Sequence, residues 1–111
     1  MQPIDYEKEM KEFQWDVPEY YDIASVVDSH AQKNPSHPAI LWENEKGETR
    51  TVTYDDLRKQ SNQFANVLTS LGIEKGDPVL VMLPRIPETY IAQLTIIKTG
   101  GIITPAVEML R

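Results

Sequence analysis

The stretch from Val79 to Thr104 limits what this chain can fold into more than any other. Val79-Leu80-Val81-Met82-Leu83 is an apolar run with no polar alternation. A strand with one wet face alternates, so this run predicts a strand covered on both faces, as in a parallel sheet. Pro84 and Pro87 bracket the loop that follows, and Pro87 suits the first turn of a helix. Tyr90, Ile91, Leu94 and Ile97 supply that helix with an inner stripe over Pro87–Thr99. Gly100-Gly101 ends it, and Ile102-Ile103-Thr104 reads as a second buried strand. Strand, helix and strand within about 30 residues make a βαβ unit. The fold class is α/β: a partial parallel sheet with flanking helices.

The residues upstream add a hairpin and two more helices. Asp22 is placed to cap a helix starting at Ile23, with Ile23, Val26, Val27, His30 and Ala31 on one face, and Asn34-Pro35 stops it. Ala39–Trp42 and Thr49–Thr53 have strand composition and flank a loop containing Lys46-Gly47, which predicts a β-hairpin. Thr53 caps the next helix, Asp55–Leu71, with Asp56 as an imperfect capping-box partner. Leu57, Ser61, Phe64, Leu68 and Leu71 share one face, widened by Ala65, and Gly72 falls where a left-handed cap belongs.

The segment 1–22 differs from 23–111. Acids dominate it (Asp5, Glu7, Glu9, Glu12, Asp16, Glu19, Asp22), interleaved with Phe13, Trp15, Tyr20 and Tyr21. Such aromatic content predicts a strap whose rings dock on the α/β body, with Pro18 breaking any helix. The whole chain, 111 residues, carries 11 Lys and Arg against 17 Asp and Glu, a formal charge of −6. A nucleic-acid binder tracking phosphates needs the opposite sign. With no cysteine there is no disulfide scaffold, thiol nucleophile or thiolate metal site. No apolar run approaches the roughly 18 residues of a membrane span, and the acidic start lacks the apolar core of a secretory signal, so a cytoplasmic protein is expected.

The sequence offers little chemistry. Neither G-x-G-x-x-G nor G-x-x-x-x-G-K-[ST] occurs, and no serine stands in a G-x-S-x-G elbow. His30 and His37, the only histidines, lack metal spacing and read as packed or surface residues. Asp55 and Asp56 sit at a helix start, where the macrodipole favours acids, and read as capping groups ahead of acid–base catalysts. Trp42 reads as hairpin packing. One geometric rule does name a site: in open α/β sheets ligands gather outside the carboxyl ends of the strands. Those ends are Pro84-Arg85-Ile86-Pro87-Glu88 and Pro105-Ala106-Val107-Glu108-Met109. As plain connecting turns, Arg85 and Glu88 need no further role.

Three segments carry a family resemblance. Gly72-Ile-Glu-Lys-Gly-Asp-Pro-Val-Leu-Val-Met-Leu-Pro-Arg-Ile-Pro-Glu88, then Lys98-Thr-Gly-Gly-Ile-Ile-Thr-Pro105, and upstream Val52-Thr-Tyr-Asp-Asp-Leu57 resemble the early region of AMP-forming acyl-CoA synthetases, members of the adenylate-forming superfamily. Phe13-Gln-Trp-Asp-Val-Pro-Glu-Tyr-Tyr-Asp-Ile-Ala24 and Met82–Glu88 lean toward the medium-chain branch. The resemblance implies a parent enzyme that activates a carboxylic acid with ATP and magnesium to an acyl-adenylate and passes the acyl group to coenzyme A. The family's Pro-Lys-Gly phosphate loop, magnesium-handling acid and C-terminal lysine have no counterpart here. This chain is therefore expected to be an inactive N-terminal fragment, binding none of these cofactors itself, with the rest of the synthetase as partner. An exposed sheet edge also predicts homo-oligomers. By resemblance the segment after the last strand lies near the coenzyme A channel, which points to Val107 and Met109 as lining residues, with Glu108 turned to solvent. The branch usually has small or hydroxyl residues where this chain has Val107 and Glu108. The alternative is a stand-alone, non-catalytic protein-binding module; the reading frame after Arg111 discriminates the two.

Overall fold

The computed structural model describes residues 3–107. In chain order the elements are α1 (Tyr6–Glu12), α2 (Ile23–Lys33), β1 (Pro38–Glu43), β2 (Thr49–Thr53), α3 (Tyr54–Ser70), β3 (Pro78–Val81), α4 (Pro87–Thr99) and β4 (Ile102–Pro105). β1 and β2 form an antiparallel hairpin, and β3 and β4 a separate parallel pair. The expected α/β class and partial parallel sheet are both present.

The caps explain where the helices begin. The Asp22 carboxylate accepts from the Ser25 N–H and Ser25 Oγ at 2.9 and 2.6 Å, so α2 starts at Ile23. Thr53 Oγ1 accepts from the Asp56 N–H, and Asp56 Oδ2 accepts from the Thr53 N–H, a complete capping box on α3. Gly100 closes α4 with φ +79°, a left-handed conformation that costs glycine nothing. Next to it Gly101 answers a spatial demand. A Cβ there would lie 3.1 Å from Ile96 Cγ2 and 3.2 Å from the Asp77 carbonyl, which already accepts from the Ile102 N–H at 2.8 Å.

The core gathers around α4. Ala24, Val52, Leu57, Ile91 and Leu94 are buried together, with Val27, Ala39, Ile40 and Ile97 packed against them. On the other side of the helix Ala92, Thr95 and Ile96 are buried as well. The predicted single stripe therefore undercounts: α4 is enclosed on most of its circumference by α2, α3 and the parallel strands. Tyr90, placed in that stripe, is exposed. Small side chains let α3 and α4 approach; Thr95 Oγ1 donates to the Ile91 carbonyl at 2.7 Å and leans on the Ser61 carbonyl at 3.3 Å.

Three expectations are corrected. β3 is shorter than Val79–Leu83 and is covered on one face only: Val81 is buried, whereas Leu80 is 66% exposed. A pair of strands with α4 on one side leaves the alternate side chains without a neighbour, so an apolar run does not by itself bring a second covering layer. On α2 Ala31 is buried as expected, but Ile23 and His30 are exposed and Ala24, off the predicted face, is buried instead. The strap does not dock. Phe13 and Trp15 stack edge-to-face on one another at 5.3 Å, and Trp15 is 84% exposed. The short helix α1, unforeseen in the sequence, buries nothing. Among the described residues no hydrogen bond or ion pair links 3–21 to the body, so nothing offsets the entropy of fixing it there. The radius of gyration, 17.7 Å, reflects that projection; a compact chain of this length has about 13 Å.

Candidate functional site at the carboxyl edge of the parallel strands

β3 and β4 run in register, Val81 opposite Pro105, and the Ala106 N–H donates to the Val81 carbonyl at 2.9 Å. The loop leaving β3 and the segment leaving β4 therefore depart side by side. The first runs through Pro84-Arg85-Ile86 into α4, whose N-cap Ile86 offers no side-chain hydrogen bond. Thr89 Oγ1 donates back to the Pro84 carbonyl at 2.6 Å, and the Ile86 N–H donates to the same carbonyl at 2.9 Å. The second carries Val107, which is 68% exposed at the edge. Met109 and Glu108 lie outside the described residues.

Two side chains from the hairpin reach this loop, and sequence reasoning missed both roles. Trp42 Nε1 donates to the Arg85 carbonyl at 2.7 Å, and the Arg50 guanidinium pairs with Glu88 at 2.7 Å. Glu88 is held below the usual carboxylate range, first by its own backbone N–H and then by Arg50, against a desolvation penalty. The one available signal is that Trp42 and Arg50 face each other across a predictable hairpin; their target, some 40 residues on, leaves no trace in local pattern.

The remaining candidates have structural employment. His30 and His37 both lie against the Tyr54 ring, with centroids 5.3 and 6.0 Å away. Asp56 belongs to the capping box, and Asp55 pairs with Lys59 and Arg58 at 2.9 and 2.8 Å. Those hydrogen bonds, Lys59 first, hold the Asp55 carboxyl below its usual range. Two open apolar grooves mark the surface. One, about 580 Å³, lies between α2, β1 and α4 and includes Ile23, Leu41, Tyr54 and Tyr90; the other, about 350 Å³, lies between α3 and β3 and includes Phe64, Leu80 and Met82.

The triphosphate and the divalent cation implied by the resemblance call for free backbone amides and converging acidic side chains. The amides of the adjacent glycines, which a phosphate loop would offer, are spent on the Ile97 and Ile96 carbonyls. Among the described residues no three acidic or imidazole side chains converge as a metal site requires. Nor is any helix among them long and apolar enough to cross a membrane.

Comparison with known proteins gives a consistent result. The family model described as AMP-binding enzyme matches residues 27–111. Acyl-coenzyme A synthetase ACSM3, mitochondrial, from Homo sapiens is 34% identical over 112 residues, 95% of this chain and 19% of that protein. Among solved structures, acetoacetyl-CoA synthetase from Streptomyces lividans superposes with a TM-score of 0.73 at 34% identity, over 77% of this chain and 13% of that one. The N-terminal subdomain of NpsA from Klebsiella oxytoca gives 0.71 at 28% identity, over 80% and 22%. The chain thus spans about a fifth of the curated human relative it matches.

Proposed function

The chain belongs to the AMP-binding enzyme family, and from that premise we propose that it is the N-terminal part of an acyl-CoA synthetase. The acid is activated by ATP, the carboxylate attacking the α-phosphorus to give acyl-adenylate and pyrophosphate. The thiol of coenzyme A then displaces AMP to give the thioester. The observation that carries this reading is the half-built parallel sheet. Leu80 on β3 and Met82 just beyond it lie exposed in a chain whose family match begins at residue 27 and continues through the last strand, as suits a layer that other parts of a synthetase cover.

The contribution of 1–111 is architectural: an acidic strap over 1–22, and over 23–111 an α/β layer that sets the carboxyl edge of β3 and β4. Val107 and Met109 line the path of the coenzyme A pantetheine arm there, and magnesium and ATP are held by the rest of the synthetase. Separated from that partner the chain is inert, because the family's phosphate loop, magnesium-handling acid and C-terminal lysine, which would stabilise the charge of the adenylation transition state, have no counterpart in its sequence. Its open strand edges then favour self-association. The site of action is the cytoplasm, although the human relative's name carries "mitochondrial"; cell fractionation separates the two.

ATP–pyrophosphate exchange with a panel of carboxylic acids tests the proposal, on the chain alone and on the full reading frame that contains it. Exchange by the full frame and none by the chain is the expected result. Exchange by the chain alone overturns its inertness. None by the full frame overturns the synthetase reading and leaves a binding module, a role that the exposed rings of Phe13, Trp15 and Tyr20 would then serve.

A further inference from the structure

We propose that Trp42 and Arg50 are positioning residues, through which the β1–β2 hairpin fixes the wall of the coenzyme A approach. This rests on the reading of the carboxyl edge given above. The placement begins with strand alternation. Ile40 pairs with Val52 and Trp42 with Arg50, so these four side chains share one face, while Leu41 between them is exposed. Ile40 and Val52 enter the core. The next rung along the same face, Trp42 with Arg50, lies over the loop leaving β3.

That loop needs outside support. Pro84 and Pro87 carry no N–H, which removes two backbone donors from the segment and leaves side-chain contacts to fix its position. Thr89 supplies one for Pro84 and Trp42 supplies one for Arg85. Arg50 adds a second attachment three residues further on, at Glu88 in the first turn of α4. One attachment tethers a loop; two, from facing residues of one hairpin, also fix its orientation. The ion pair is about half exposed on both sides, and pairs in that setting add little to stability. Its effect is geometric. Because the loop leaves β3 beside the segment that carries Val107, its orientation sets one side of the approach and Val107 the other.

Trp42→Phe removes the donor and keeps a ring; Arg50→Glu breaks the ion pair, and Arg50→Glu with Glu88→Arg remakes it reversed. Amide hydrogen exchange on the 111-residue chain and separate half-reactions on the full frame are the readouts. Each single variant is expected to speed exchange at Ile86 and Thr89 about tenfold, with Leu94 and Ile96 unchanged. In the full frame each raises KM for coenzyme A about threefold or more, while adenylate formation stays within about twofold. The charge-reversed pair restores both readouts. Unchanged exchange and KM overturn the proposal. So does a parallel loss of both half-reactions with faster exchange throughout α4, since that is a structural role alone. A full frame that forms no adenylate at all refutes the synthetase reading instead; local exchange at Ile86 and Thr89 then still decides whether the hairpin holds the loop.

Discussion

Replacing Lys98 by methionine tests how the three main helices are tied together. Lys98 Nζ donates to Asp28 on α2 at 2.9 Å and to Asn62 on α3 at 2.8 Å. Its side chain is only 11% exposed, but that of Asp28 is 41% exposed. Methionine keeps the buried alkyl stem, so the loss is confined to the ammonium and its two bonds. Hydrogen bonds to charged groups are worth about 1.5–3 kcal/mol each. Here water reaches Asp28 and recovers part of its loss, so the expected cost is about 2 kcal/mol in total. For a domain near 100 residues that lowers Tm by roughly 8–16 °C. Urea unfolding followed by tryptophan fluorescence measures it. The cycle Lys98→Met with Asp28→Asn isolates the ion pair and is expected to give a coupling of about 1 kcal/mol. A loss below about 0.5 kcal/mol with no coupling would refute the reasoning, because the ammonium would then be as well solvated by water as by its partners.

Gly101→Ala places a methyl against the Asp77 carbonyl and Ile96, and urea unfolding should show a loss of about 1–3 kcal/mol, as for overpacking. Asp55, Asp22 and Glu88 all have carboxyls held below their usual pKa. Their contributions are full above the ordinary carboxylate range and fade as pH falls through the lowered folded values. Acid unfolding should therefore begin only below about pH 4, and Asp55→Asn should flatten it; an unchanged acid limb would remove Asp55 from the account. Met109→Trp in the full frame should raise KM for coenzyme A and spare adenylate formation, whereas loss of both half-reactions would make the residue structural.

The sequence carried most of what depends on neighbours along the chain, with α1 and its Asp5 cap the exception. Asp22 and the Thr53–Asp56 box start their helices where the capping rules put them, and the hairpin and βαβ unit follow from short-range pattern. What it withheld depends on distant packing. Ile96 and Thr95 are buried because α3 and the strands close on the far side of α4, which no single-helix stripe reports. The apolar run of β3 states an appetite for burial but not whether a neighbour answers it, and Leu80 shows that here none does. At the site the edge itself was legible from strand direction, whereas the grip of Trp42 on Arg85 joins residues 43 apart.

The parallel pairing of β3 and β4 also sets a clock for synthesis. The hairpin can close within microseconds of its emergence, since both strands and their turn arrive together. β3 has no such neighbour. The ribosome must add about 20 residues after Val81 before Ile102 exists, which at ~5–20 residues per second is roughly 1–4 s. Throughout that interval the apolar run Val79–Leu83, which holds most of β3, is unpaired next to a loop with two prolines. That delay gives a nascent-chain chaperone both time and an apolar surface to hold.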